Sequence, residues 1–454
     1  MSALRPALSG GGTTGAGRRV AVIGAGWAGC AAAVELAEAG WQVTVIEAAR
    51  EAGGRARRIT HQGEVLDNGQ HILIGAYRET LALMARVGVP GTALRRLPLR
   101  LDLPGRFSLA LPRLPAPFHV LVGLLAARGL TPADKLGALR WMVGCRLRGF
   151  SAPPGMTVAD WIAGAPAALR ELMLEPLCVA ALNTRADEAS AAVFARVLRD
   201  SLGAGRAGSD LLLPAADLGA LLPDAALARV RALDGEVRLG ARLTALRPIA
   251  GGAGWHCDSP RHADEAFDAV IVATPAATTA ALLRAIGSPA FAPALAALDA
   301  FEHEPIATIY LRADSITLPA PMIALTEDPA SDGFGQFAFD RRALGLPDGR
   351  LAVVASGARD LLALDRGRIA AGAARQLARA LGIDAARFDL ADAVVITEKR
   401  ATFRCVPGVA RTPRSSGMPK LFIAGDHSDP DYPATLEAAV RSGLGAARAL
   451  LTTA

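Results

Sequence analysis

Lysine is almost absent from this 454-residue chain: only Lys135, Lys399 and Lys420 occur, so arginine carries nearly all of the positive charge. The net charge of +6 comes from guanidiniums scattered along the sequence, with no basic block interleaved with aromatics. Nucleic acid needs a clustered, phosphate-neutralising footprint, so that partner class is excluded, while a mild attraction to anionic lipid stays open. Aromatics are also sparse, at 13 Phe, 5 Trp and 3 Tyr. The five cysteines, Cys30, Cys145, Cys178, Cys257 and Cys405, are odd in number and contain no C-x-x-C pair. They read as buried thiols of a reducing compartment, with neither a disulfide framework nor a metal site indicated.

Long apolar runs are missing as well. The longest uncharged apolar stretch, "LPAPFHVLVGLLAA" from Leu114 to Ala127, has fourteen residues, short of the ~20 that a spanning helix needs. It reads either as a core or lid helix or as a monotopic patch dipping into a membrane interface. The start, "MSALRPALSGGGTTGAGRR", has no apolar h-region; a disordered leader over residues 1–17 and a cytoplasmic location are expected, with peripheral contact on the inner face of the cell membrane as an option.

What the chain does have is aliphatic bulk: hydrophobic residues make up 52% and mean hydropathy is +0.30, which suits an apolar cavity or a membrane-facing patch. Its length calls for two domains, or for one large domain carrying an insertion.

Glycine is placed with purpose near the front, in "RRVAVIGAGWAGCAAAVELAEAGWQVTVIEAAREAGGRARR". A buried strand over Val20–Ile23 runs into the turn Gly24-Ala25-Gly26-Trp27-Ala28-Gly29 and an Ala-rich helix. Gly24 permits the tight turn, Gly26 lets backbone approach a pyrophosphate, and Gly29 lets helix and strand pack closely. Ala25 and Ala28 belong to the same turn, at a helix N-terminus whose free N–H groups favour phosphate. A second strand ends at Glu47, positioned to accept from both hydroxyls of an adenosine ribose and to resist a 2′-phosphate. The segment therefore predicts a dinucleotide site that disfavours NADP.

The next motif, Gly53-Gly54-Arg55, resembles the second glycine motif of the flavoprotein superfamily that includes monoamine oxidases and phytoene desaturases. There the glycine pair passes the FAD pyrophosphate and the arginine helps to balance its charge. "EVLDNGQHILIGAYRETLALMARVG" reads as a strand, a turn at Asn68-Gly69 and a helix from about Arg78; the same resemblance sets Gly69, Gln70 and His71 beside the flavin ring. It also sets Leu243 at the adenine edge. His71 has two readings, a hydrogen-bonded core histidine or a group that polarises substrate or flavin. Near the end, "LFIAGDHSDPDYPATLEAAVRSG" gives a last parallel strand over Leu421–Ala424 with Asp426 at its carboxyl end, where open α/β sheets bind ligands. Asp426 is expected to accept from a ribitol hydroxyl. A helix from about Ala434 is expected to present the Thr435 and Leu436 N–H groups to the flavin N1/O2 edge.

Several further stretches resemble the squalene-associated, FAD-dependent branch that contains the bacterial hydroxysqualene dehydroxylases: "LDNGQHILIGAYRETL", "EPLCVAALNTRADEASAAVFARVLRDSL", "SDLLLP", "EPIATIYLR" and "EKRATFRCVPG". The resemblance covers about Arg19 to Ala447. It implies an α/β, Rossmann-like FAD-binding domain of the GR2 flavoprotein type with an inserted α+β substrate domain. The FAD-binding parts are expected over 18–90, 204–285 and 395–454, and the substrate-binding parts over 91–203, read as mainly helical, and 286–394, read as an antiparallel sheet flooring a cavity. The reaction implied is reductive loss of the hydroxyl of hydroxysqualene to give squalene, on a long apolar isoprenoid substrate, with no second dinucleotide motif to name the electron donor. A general acid is then required; His71, Asp429 and Asp431 are the candidates, with Glu175, Asn183 and Arg185 outside choices. Rival readings are a carotenoid or isoprenoid desaturase, a flavin amine oxidase with only Tyr432 as an obvious cage aromatic, and a flavin-free prenyl-lipid carrier on the same scaffold.

Overall fold

A computed structural model describes residues 18–203, 205–252, 254–313 and 315–453; the expected leader over 1–17 lies outside them. The strand Arg19–Ile23 is buried at four of its five positions, and that burial on both faces is what a central parallel strand requires. It lies between Gln42–Ile46 and Ala269–Val272, and Glu236–Arg238 and Leu421–Ile423 close the two edges of a five-stranded parallel sheet. The last strand pairs Leu421 with Val270, so both ends of the polypeptide enter one sheet. Helix Trp27–Glu38 packs against the final helix Leu436–Thr453. Small residues allow the approach: a Cβ on Gly443 would stand 2.0 Å from the Ala28 carbonyl oxygen.

A second five-stranded sheet is antiparallel, in the order Met322–Ala324, Phe337–Asp340, Leu351–Ser356, His303–Arg312, Asp389–Phe403. Its alternation divides the side chains cleanly. Ile309 and Val353 pack on the amphipathic helix Arg366–Leu381, while Ile306, Phe337, Phe339 and Val354 point the other way. Arg341, just past the strand Phe337–Asp340, ties the antiparallel sheet to residues 64–70. It is fully buried, donates to Asp67 and to Gln70 at 3.1 and 3.0 Å, and reaches Asp348 at 2.7 Å.

Three details go beyond the local pattern. The region from 91 begins with strands, Leu94–Leu97, Arg100–Leu103 and Phe107–Ala110, before helices such as Phe118–Ala126 and Pro132–Leu147 take over. Leu94–Leu97 is held by pairing with Leu211–Pro214, a contact more than a hundred residues away that local pattern cannot reveal. The stretch Gly235–Pro248 holds two strands: Glu236–Arg238 joins the parallel sheet, and Ala245–Pro248 joins a separate antiparallel sheet with Trp255–Ser259 and His262–Phe267. The chain turns between them at Gly240, where φ is 68°. The final helix starts at Leu436 rather than Ala434, because Thr435 caps it by accepting from the Ala438 N–H at 3.1 Å.

Candidate functional site

A cavity of about 760 Å³ opens at the carboxyl end of the parallel sheet, bounded by Gly24, Gly26, Glu47, Gly54, Asp426 and Leu436 among others. Toward the antiparallel sheet the cavity has an apolar part, Ile72, Ile306, Phe337, Phe339 and Val354, beside polar residues of the strands His303–Arg312 and Asp389–Phe403.

The glycine turn has the shape its spacing predicts. At Gly24 φ is +102° and a Cβ would meet the Ala273 carbonyl oxygen at 2.4 Å, while a Cβ on Gly29 would stand 1.9 Å from the Gly24 oxygen. Gly26 faces Gly54 alone, with nothing nearer than 3.9 Å to a built Cβ, and the Gly53 N–H donates to the Ala25 carbonyl at 2.8 Å. Two glycine turns thus form one cradle that side chains would fill. Helix Trp27–Glu38 begins there with no side-chain cap and no acid in its first turn, which leaves its N–H groups and positive dipole end for an anion. This donor set fits a dinucleotide pyrophosphate. Ala25 and Gly29 stand behind the cavity wall, and Ala28 is on it.

Glu47 lies on the wall and accepts from the Ala25 and Ala49 N–H groups, each at 2.7 Å. Those bonds fix the carboxylate while leaving it lone pairs for hydroxyls. Leu243, Gly69, Gln70, Thr435 and Leu436 also border the cavity.

Arg55 borders the cavity beside the two glycine turns. Its Nη2 meets Asp426 Oδ1 at 2.5 Å and its Nη1 donates to the Ala401 carbonyl at 2.7 Å. Burial alone would raise the Asp426 carboxyl, but the Arg55 charge, then His427 and the Arg55 hydrogen bond, outweigh it and hold the group below its ordinary value. An ionised acceptor therefore stays at the end of the last parallel strand.

His71 is on the wall, with Nδ1 2.8 Å from the Gly69 carbonyl. A carbonyl only accepts, so Nδ1 carries the proton in the neutral ring and Nε2 holds the lone pair. Burial lowers the imidazole below its usual value, against the pull of the Gly69 bond and Asp67 and with help from Arg55.

The other acid candidates sit elsewhere. Asp429 is buried, accepts from the Asp431 and Tyr432 N–H groups, and pairs with Arg441 at 2.8 Å. Asp431 pairs with Arg196 at 3.0 Å. Neither borders the cavity; the polar turn that follows Asp426 folds back onto the arginines of neighbouring helices. Tyr432 is likewise off the wall, between the Arg196 and Arg441 guanidiniums and bonded to Asp200. Asn183 reaches the wall, but its amide serves the fold, donating to Thr402 Oγ1 at 2.9 Å and accepting from the Gly357 N–H at 2.6 Å. Arg185 is exposed and pairs loosely with Asp187, and Glu175 opens a helix outside the cavity.

Sequence reasoning missed Asn68, His303, Glu398, Arg400, Thr402 and His427, which all line the cavity. Asn68 Nδ2 donates to the Arg55 carbonyl and to Glu398, at 3.0 and 3.3 Å. A signal did exist for three of them: the alternation in "EKRATF" puts Glu398, Arg400 and Thr402 on one face of a strand. Among the described residues no cluster of His, Cys, Asp and Glu is arranged to hold a metal ion. All five cysteines are buried and unpaired.

Residues 27–451 match the family model described as flavin containing amine oxidoreductase. The hydroxysqualene dehydroxylase of Rhodopseudomonas palustris is 30% identical over 429 residues, covering 90% of this chain and 92% of that protein. The one from Zymomonas mobilis is 28% identical, over 89% and 92%. Among solved structures, an oxidoreductase from Methanosarcina mazei superposes with a TM-score of 0.73 at 18% identity, covering 94% of this chain and 99% of that one. A putrescine oxidase reaches 0.67 at 17%, covering 96% and 99%. These structural likenesses bear on the fold, which is that of flavin-binding α/β oxidoreductases. The chain belongs to the flavin containing amine oxidoreductase family, in the branch of the hydroxysqualene dehydroxylases, and is a flavin-dependent oxidoreductase.

Proposed function

We propose that the flavin is FAD and that the protein reductively removes the hydroxyl of hydroxysqualene to give squalene. The observation that carries this reading is the apolar part of the cavity, Ile72, Ile306, Phe337, Phe339 and Val354, joined directly to the dinucleotide cradle, because a long hydrocarbon chain needs such a chamber. The curated relatives' activity supports the same substrate class.

Replacing C–OH by C–H consumes two electrons and two protons and releases water. Bound reduced FAD supplies the electron pair and a hydrogen. The chain would hold its diphosphate at the Gly24–Gly29 and Gly53–Gly54 turns, its adenosine ribose at Glu47, its ribitol at Asp426, and its ring beside Gly69 and Gln70. His71 is assigned as the proton donor to the leaving oxygen: its Nε2 is free, Nδ1 is tied to Gly69, and burial makes the protonated ring a stronger acid. The apolar part of the cavity excludes bulk water from an allylic cation left as the hydroxyl departs.

The test is anaerobic incubation of reduced, flavin-loaded protein with hydroxysqualene and identification of the hydrocarbon. Squalene is the expected product. A yellow protein that leaves hydroxysqualene intact but desaturates phytoene would replace this reading with the desaturase one, and a colourless protein would favour a carrier.

A further inference from the structure

The helix Phe118–Ala126 buries His119, Val120, Gly123 and Leu124 on one side. On the other it exposes Phe118, Leu121, Val122 and Leu125, at 56, 37, 39 and 51%. These four stand at i, i+3, i+4 and i+7, so they form a single stripe along the helix. Leu114, just ahead, is 38% exposed. The burial is tight rather than loose: a Cβ on Gly123 would stand 2.5 Å from Leu111, which fixes the outward stripe.

The next helix, Pro132–Leu147, packs beside it and repeats the pattern. Leu136, Val143 and Leu147 are 50, 55 and 83% exposed, and their spacing sets them on one face with Arg140 between. Singly exposed aliphatic residues are ordinary, but two adjoining stripes of them are not.

Charge separates this region from the rest of the surface. No consecutive basic run marks it, yet residues 113–148 contain Arg113, Arg128, Lys135, Arg140, Arg146 and Arg148 against Asp134 alone, a net of +5 in a chain whose total is +6. Arg113, Arg128, Arg140 and Arg146 are exposed and have no ion-pair partner among the described residues. Elsewhere most arginines are paired. Arg113 also borders a small pocket with Arg96 and Arg206, three guanidiniums around the single carboxylate of Asp210.

We infer that this two-helix face docks on an anionic phospholipid surface, the leucine and phenylalanine stripe entering the headgroup boundary while the arginines meet lipid phosphates. Amphipathic helices with aliphatic and aromatic residues on one side and cations around them bind in this manner without spanning the bilayer. No helix among the described residues is long and apolar enough to cross a membrane. A second copy of the chain is the weaker occupant, since a two-fold contact through this face would press the same excess of positive charge against itself. The inference stands on the surface alone and does not depend on the substrate proposed above.

The test is vesicle co-sedimentation of the full-length, flavin-loaded protein. Vesicles of phosphatidylcholine with phosphatidylglycerol are expected to capture it, less so at high salt, and phosphatidylcholine alone to capture it roughly tenfold less. Replacing Leu121→Ser and Leu125→Ser together, or Arg140→Glu and Arg146→Glu together, is expected to weaken capture by about tenfold or more, with circular dichroism and flavin absorbance unchanged. Should the serine pair fail to fold, the exposed arginine pair carries the comparison alone. Equal capture by both vesicle types, no capture, or variants that bind like the parent would overturn the inference. So would a self-association, seen by sedimentation equilibrium, that the variants abolish in the absence of vesicle binding.

Discussion

His71 combines a free Nε2, an Nδ1 committed to the Gly69 carbonyl at 2.8 Å, and a titration lowered by burial. If it protonates the leaving oxygen, the active form is the imidazolium, which exists only below its own lowered value. The rate should therefore fall as pH rises through a midpoint under 6.5, and His71→Gln should abolish that limb while keeping its flavin. Turnover that instead rises with pH over this range would reassign His71 as an acceptor that merely orients the hydroxyl. Gly69, Gln70 and His71 could be marked from the "NGQH" motif, but the tautomer could not. It depends on where the Gly69 carbonyl points after the chain turns.

At the scale of elements, the helix Arg78–Arg86 has no side-chain cap of its own, since Tyr77 occupies that position. The missing acceptor comes from the far end of the chain: Glu437, buried in the first turn of the final helix, accepts from the Glu79 and Thr80 N–H groups at 3.1 and 2.9 Å. Glu437→Ala should cost about 1–2 kcal/mol, read as a lower urea midpoint, with Glu437→Gln recovering much of the loss through its amide oxygen. Equal stability of parent and alanine variant would deny the cap any role. Both helices were legible in the sequence, one from about Arg78 and the other from about Ala434. That one caps the other was not, because capping boxes are recognised only when the partners are three residues apart.

Over the whole molecule, Arg341 is a buried link between Asp67, at the end of the strand Glu64–Asp67, and Asp348 beside the antiparallel sheet. Arg341→Met should cost about 3–5 kcal/mol, because two buried carboxylates lose their cation and keep only the Leu218 and Arg350 N–H groups. It should also release Gln70, seen as weaker flavin retention. An unchanged thermal midpoint would contradict this. Burial also lowers four histidines, His71, His119, His303 and His427. For each, the unfolded chain takes up a proton at a higher pH than the folded one, so stability is lost as pH falls through about 6.5, and it is regained above that. Thermal midpoints measured on either side of that pH should show the slope, and His427→Gln should make it shallower while the other three histidines keep part of it.

By itself the sequence determined the elements around the cavity's phosphate-sized cradle: the strand–turn–helix with its three glycines, the acid ending the second strand, the second glycine turn and the returning last strand are local patterns, and local patterns survive without knowledge of the fold. It also marked the family through stretches spread over most of the chain. Tertiary structure alone decided which polar groups share the cavity. It brought Arg55 to Asp426 across 371 residues of sequence, turned Asp429 and Asp431 away toward Arg441 and Arg196, and set Glu398 and Thr402 on the wall. Such pairings follow from strand register and helix packing between distant segments, whose cost and reward are fixed only when the whole chain has closed.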